Sequence, residues 1–541
     1  MRIVRVAVLC AAVVVVGLVL VSGTEDSGSK TPAALPGLPA PFVGTAVVGE
    51  GGLIASIDAY GDVVDLRAGP AGEALIDNPS DRQAAGTVPA RTGIVPRMAV
   101  RDSPPLPIWR AESVTQHYLR DSNVVETVAY IKEARVWVRV AAAGDSLALE
   151  MVTGSSRQGR GLPAISVQVE DGIHCAHAKH GDVLDLLCRV GRALPVLDEE
   201  GNSREVFREC DRIIHGAVGA GRRWSRKARD LGAGAPGWAR EMYRRSLLTL
   251  HALTSQRTGA VAAGARDGWA YVWPRDAATA ALALQASGHH ADARRVVRFL
   301  KTLDLTTAAR FDEEGAAIPG RAAQGDASGW VAAAAAATGL EARRLHAPWR
   351  DRADYQESSP GTYLGNALAA TATLDVDGPK SALHQRFSAH QRRVAREFGT
   401  VDGLVRRAGD PGSGLDSAAG WAVRPFEIRP LYPAAEKTLL RLAEGGTPYG
   451  ITPGEGWEGG EDPWTAPTAW SAWALAGLAA EGRGAADRRA ALGLLADLRR
   501  ASTSAGSLPE RVGVHTGIPT STTPLLWSSA FTVLALRELW P

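Results

Sequence analysis

The sequence predicts a multidomain β + α protein, an N-terminal antiparallel β-sandwich followed by an all-α region built as a toroid of helical hairpins. Three observations predict it. Apolar spacing is short-range and β-branched from Phe42 to about Val190, then helical beyond roughly Ala217. The 541 residues exceed one ordinary domain and allow two or three. Tryptophan is lopsided, with 13 of 15 at or after Trp224, which directs the search for a stacking cleft to the helical half.

The chain starts with a positive Met1-Arg-Ile-Val-Arg5 and an unbroken apolar run from Val6 to Val21, after which it turns small, polar and Pro-rich. Residues 1–23 read as a signal peptide, or alternatively an uncleaved N-terminal membrane anchor, and 24–41 as a linker. Both readings place the protein outside the cytoplasm, secreted or anchored. The sandwich is expected over 42–216. Its strands include Leu53–Asp58, Asp62–Leu66, Val124–Ile131 and Arg135–Val140, with hairpin turns at Tyr60-Gly61-Asp62 and Gly144-Asp145. A linker helix is expected over 217–236 and the helical domain over 237–541. There, helical spacing predicts Trp238–Gln256, Arg275–Ser287, Ala291–Leu303, Ser328–Thr338, Thr362–Leu374, Ser381–Phe398, Ala434–Ala443, Thr465–Ala480, Ala485–Arg500 and Pro524–Leu539. No fixed repeat period marks a solenoid.

A net charge of +2 gives no electrostatic case for nucleic acid. Cys175, Cys188 and Cys210 permit one disulfide and one free thiol, and Cys175–Cys188 could close a hairpin. His174, His177 and His180 read as surface polar residues, and no spacing suggests a metal or cofactor. With neither a phosphate loop nor a nucleophile elbow, nucleotide and acyl-transfer chemistry lack their signatures.

The segment Asp267 to Ala277, DGWAYVWPRDA, carries flat rings and an Arg–Asp pair at a helix start. Asp276 sits where the helix dipole favours an anion, Tyr271 and Trp273 offer apolar faces, and Arg275 offers a rigid fork of donors. Such faces beside fixed hydrogen-bonding groups suit a sugar ring. Glycosidic cleavage needs two carboxyls, one neutral to protonate the leaving oxygen and one ionised to activate water or attack. Two loop segments supply candidates: Asp354-Tyr-Gln-Glu357, and Leu508-Pro-Glu510-Arg511 with Pro524-Leu-Leu-Trp527-Ser beyond it. Arg511 can keep a nearby anion ionised, and Trp527 can buttress the loop.

In this order the motifs resemble glycoside hydrolase family 15, the glucoamylases, glucodextranases and a group of trehalases. Gly320-Arg321-Ala-Ala-Gln324-Gly-Asp326-Ala-Ser-Gly-Trp330 resembles a pocket loop of that family, and Asp462-Pro463-Trp464 its Asn-Pro-Trp helix start. Leu53 to Val64 is similar to the early strands of bacterial two-domain members, so the resemblance covers about residues 42–541. It implies an (α/α)6 barrel behind the sandwich and exo-acting release of glucose from non-reducing ends of α-glucans, with inversion. By the same resemblance Glu357 is the general acid and Glu510 the general base, and their carboxyls should stand roughly 6.5–9.5 Å apart to admit a water. Arg275 and Asp276 would hold hydroxyls of the terminal sugar. Trp273, Trp330 and Tyr271 would wall the pocket, with Arg321, Gln324, Asp326, Arg511 and Trp527 completing it.

The chain departs from the family at Gln356, where Trp is usual, and at Ser358, where a second acid often follows. Glu458, in Gly456-Trp457-Glu458-Gly, is therefore a reserve catalytic candidate. No family-like Arg precedes Pro463-Trp464, and Arg424 or Arg429 is the substitute considered. The expected partner is an oligosaccharide or polysaccharide. Trehalase or glucodextranase activity is the neighbouring alternative on this scaffold. A catalytically weakened carbohydrate-binding homologue and a glycoside phosphorylase are alternatives of other classes, and Glu510 argues against the phosphorylase.

Overall fold

The computed structural model describes residues 35–77, 93–99, 104–131, 134–155, 164–169, 173–190, 201–266, 268–341, 348–356, 358–374 and 380–541. The expected signal or anchor segment therefore lies outside the described residues, as do Asp267 and Glu357. The N-terminal half forms β1 (Gly44–Gly49), β2 (Ile54–Asp58), β3 (Val63–Arg67), β4 (Ala74–Ile76), β5 (Ile94–Ala99), β6 (Leu106–Pro107), β7 (Ser113–Tyr118), β8 (Val125–Ile131), β9 (Ala134–Ala143), β10 (Ser146–Ser155), β11 (Ala164–Val169), β12 (Cys175–His180) and β13 (Val183–Arg189). One antiparallel sheet runs β1-β2-β3-β5-β11, with β4 beside β3 and β6 beside β5. The other runs β12-β13-β10-β9-β8-β7.

Strand β9 shows why the sheets stack. Ala134, Val136, Val138 and Val140 are buried while Arg135, Trp137 and Arg139 between them are half-buried, the period of a pleated strand with one core face. Its inner residues share a core with Leu147, Leu149 and Met151 of β10 and with Ala46, Val48, Ala55 and Ile57 of the first sheet. Strands β1 to β3 are buried at every position. The reason is that their second face is covered too, since Val47 and Ile54 pack into the core of the helical half. Cys175 and Cys188 face each other across β12–β13 and form the disulfide, while the Cys210 thiol stays free and buried, its burial pushing it up.

The linker helix differs from the expected 217–236. It is α1 (Gly201–Ser225), and it lies over the outer face of the second sheet. Val206, Cys210, Ile213, Ile214 and Ala217 make its apolar stripe against Ala141, Ala148 and Leu187. Part of the segment assigned to the sandwich is thus helical cover for it.

The C-terminal half contains α2 (Gly237–Ala252), α3 (Pro274–Ala286), α4 (His290–Leu300), α5 (Ala327–Ala337), α6 (Leu364–Ala370), α7 (Lys380–Phe398), α8 (Tyr432–Glu444), α9 (Thr465–Ala480), α10 (Ala485–Ala501) and α11 (Leu526–Leu539). A hairpin of Val405–Arg407 and Asp410–Leu415, absent from the sequence expectation, lies between α7 and α8. Helices α3, α9 and α11 are buried nearly all round, whereas α4 and α10 bury one stripe. Buried helices pack on one another, α9 on α11 and α3 on α5, and amphipathic α4 and α10 pack outside α3 and α9. Trp330, Trp421, Trp470 and Phe531 fill the centre with edge-to-face contacts.

Candidate active site

The helical packing brings the N-terminal ends of α3, α5, α9 and α11 together with the loops that precede them. Pro274 opens α3, where its fixed φ and missing N–H cost nothing, and it leaves Arg275 and Asp276 in the first turn. Arg275 is 5% exposed. Its guanidinium donates to Gln324 Oε1 at 2.8 Å and Asp326 Oδ2 at 3.0 Å, pairs with Asp276 at 3.3 Å, and stacks 4.4 Å over Trp527. Gln324 in turn donates to the Asp354 carbonyl, so the pocket-loop motif, the helix start and the Asp354 segment form one floor.

Glu510 stands beside that floor. Its backbone is fixed by N–H to Thr522 O at 2.9 Å and by Thr465 N–H to its own carbonyl at 3.0 Å. The carboxyl accepts from the Trp269 indole at 3.3 Å and from the Ser521 hydroxyl, and Arg511 Nε lies 4.0 Å away. Glu510 is 9% exposed, a carboxylate with donors on both oxygens. Burial pushes Asp276 up to about 6; Arg275 opposes the shift, and Asp326 and Glu510 add to it by repulsion. Burial also works against the Arg275 charge, but Asp326, Asp276 and Asp354 outweigh it and hold the group above its ordinary value. The indole nitrogens of Trp273 and Trp527 and Oδ2 of Asp276 are buried without a hydrogen bond from the protein. Donors and a carboxylate oxygen left in this state suit a ligand bearing hydroxyls.

Comparisons with known proteins bear on the fold and on part of the helical half. Residues 237–311 match the model of glycosyl hydrolases family 15. The whole fold is similar to a bacterial glucoamylase solved with acarbose, at 12% identity and a TM-score of 0.65, covering 94% of this chain and 95% of that one. The resemblance to glycoside hydrolase family 15 is shown over residues 237–311. At that identity the structural likeness concerns the fold. The Saccharomycopsis fibuligera glucoamylase matches at 16% identity and a TM-score of 0.45, covering 56% of this chain and 94% of its own. A cellobiose 2-epimerase from Bacillus thermoamylovorans matches at 11% and 0.43, covering 56% and 99%. No curated protein matches the sequence.

The pocket residues expected from the sequence fall in three groups. Arg275, Asp276, Gln324, Asp326, Glu510, Arg511 and Trp527 come together as described. Tyr271 and Trp273 are half-buried nearby, with Arg310 stacked 4.8 Å over the first ring and Arg321, itself exposed, 5.5 Å over the second. Trp330 is a correction. Its ring is 0% exposed and packs against Trp421, Phe426 and Phe531, so it belongs to the helical core. Glu458 is exposed on its glycine-rich loop. Arg424 and Arg429 are corrections too. Arg424 binds Glu538 at 3.0 Å and Glu481 at 3.3 Å, and Arg429 lies 3.7 Å from Glu481. Those glutamates sit at the C-terminal ends of α11 and α9, opposite the site.

Sequence reasoning missed Trp269, Ser521 and Asp416. Trp269 was within the quoted segment, and its spacing from Tyr271 and Trp273, two and four residues, is that of one face of extended chain. Ser521 and Asp416 carried no signal. Asp416 is 0% exposed, accepts from Tyr355 OH at 2.8 Å, Gln356 Nε2 at 3.0 Å and Ala418 N–H at 2.8 Å, and is pushed up to about 6 by burial against those donors. Gln356 therefore makes polar contacts with Asp416 and Tyr355.

Proposed function

We propose that this protein is an inverting, exo-acting glycoside hydrolase of glucoamylase type that releases glucose from non-reducing ends of α-glucans. One observation carries the reading: Glu510 is held by Trp269 and Ser521 beside the buried Arg275–Asp276–Asp326 cluster. Donors on both oxygens hold the carboxyl in one orientation, as a base that deprotonates water needs. Arg275 and Asp276 hold hydroxyls of the terminal sugar, and Trp273 and Trp527 supply apolar ring faces. Glu357 is the general acid by position in the motif order, and Glu458 its reserve. The helical half is read as an (α/α)6 barrel, its alternately buried and amphipathic helices being the inner and outer rings. The enzyme acts outside the cytoplasm, on an oligosaccharide or polysaccharide, consistent with the apolar N-terminal run.

The test is turnover of maltooligosaccharides, isomaltose, dextran and trehalose by the chain from Thr24 onward. Glucose release is expected, and Glu510→Gln should lower kcat by about 10²–10⁴-fold with KM little changed. Glu357→Gln should behave alike. If Glu357→Gln stays active while Glu458→Gln is dead, Glu458 is the acid. Absence of product from every substrate would overturn the reading.

A further inference from the structure

The first sheet of the sandwich reaches the base through a short chain of contacts. On β3, Leu66 points into the sandwich core, and Asp65 and Arg67 on either side of it face the helical half. Asp65 is fully buried and lies 3.3 Å from Arg266 Nε, whose side chain is 3% exposed. Arg67 donates to the Ala265 carbonyl at 3.3 Å. Arg266 opens the turn that carries the indole on Glu510: its carbonyl accepts from Trp269 N–H at 3.0 Å and Ala270 N–H at 2.7 Å. The Trp269 carbonyl then accepts from Gly264 N–H at 3.0 Å, closing the turn on itself. The base loop is braced from the same sheet, with Thr503 Oγ1 donating to the Thr45 carbonyl at 3.3 Å and Ala505 packed in the sandwich core.

We propose that Asp65, through its buried ion pair with Arg266, is a positioning residue for the base, so that the sandwich sets the orientation of the Trp269 indole on Glu510. This rests on Glu510 being the base. Removing one charge of a buried pair weakens the hold on the other side chain, which then resettles among its remaining contacts. Here that side chain belongs to the residue whose carbonyl fixes the Trp269 turn. A shift of the indole alters the one neutral nitrogen donor on the carboxylate. The other described groups facing Glu510 are Ser521, Arg511 and, by repulsion, Asp276.

The experiment compares wild type, Asp65→Asn, Arg266→Lys and Trp269→Phe by steady-state kinetics across pH and by the indole ¹⁵N–¹H resonance of Trp269, assigned by its loss in Trp269→Phe. Asp65→Asn should lower kcat by up to about 10²-fold, with KM within about twofold. The acidic limb of its rate profile should move to higher pH, as in Trp269→Phe, and its Trp269 resonance should move in the direction produced by Glu510→Gln. Arg266→Lys, which keeps the charge but loses the fork, should lie between. Unchanged kcat, limb and resonance in Asp65→Asn would overturn the proposal, even if its Tm falls. If Asp65→Asn does not fold, Arg266→Lys alone decides by the same readouts. If wild type turns over no glycoside, the hydrolase reading fails and the resonance still decides the positioning: no shift in either sandwich-side variant sinks it.

Discussion

Arg275 is the residue on which this buried cluster depends, because it is the cation for two buried carboxylates and lies over Trp527. Arg275→Met should therefore cost more than a lost contact. It strands Asp326, fully buried, and should destabilise the protein by about 3–5 kcal/mol, measured by urea unfolding. Arg275→Lys should recover little, since an ammonium cannot reach Gln324 and Asp326 together while lying flat on a ring. At this scale the sequence was informative where chemistry is local. An Arg–Asp pair after Trp-Pro at a helix start has few uses, and Leu-Pro-Glu-Arg places a cation beside a carboxylate. Trp330 was illegible for a physical reason: ASGWVAAAAAA has no polar face, so nothing in its spacing tells which side meets the core. Ser521 was illegible as well, one hydroxyl in a run of Thr and Ser whose partner is fixed only by tertiary folding.

At the scale of elements, the buried helices pack closely because their contact residues are small. Gly329 in α5 faces the backbone of Ala369 at the end of α6, and a Cβ there would overlap the Ala369 carbonyl oxygen. Gly329→Ala should thus lower stability by about 1–3 kcal/mol, although alanine is the better helix former. A thermal melt checks this, and an unchanged or raised Tm would mean that α5 and α6 can separate without loss. Most helices were legible from apolar spacing and Gly or Pro ends, and α9 was expected at its observed bounds. Helix α1 was expected late and displaced. Its apolar stripe serves a sheet face that cannot be anticipated from the helix. The Cys175–Cys188 link was open in the sequence because spacing permits a hairpin bridge but does not set the register that puts the two opposite each other.

Across the whole molecule, buried carboxyls set the response to pH. Burial pushes Asp58 up to about 6, against its hydrogen bonds from Phe42, Tyr60 and Asp62, and pushes Asp185 up to about 7, with Glu150 and Asp211 adding. Asp62, fully buried beside Asp58, is also raised, by burial first and by repulsion from Asp58 second. A carboxyl held higher in the folded state than in the unfolded chain contributes stability that is complete below about pH 4 and lost as pH rises through about 6–7. These groups should make the protein melt at a lower temperature at pH 7.5 than at pH 5. Asp62→Asn, neutral at every pH, should raise Tm at pH 7.5 and shrink the difference between the two. A lower Tm at pH 7.5 in that variant would show that the charged form is the one the fold uses.

In the proposed mechanism Glu510 activates a water for direct attack on the anomeric carbon, which inverts its configuration. Proton NMR of a maltooligosaccharide digest, read in the first minutes before mutarotation, tests that most directly. The account predicts β-glucose as the initial product, its signal lost in Glu510→Gln. Initial α-glucose would mean retention through a covalent intermediate, and would contradict the role given to Glu510.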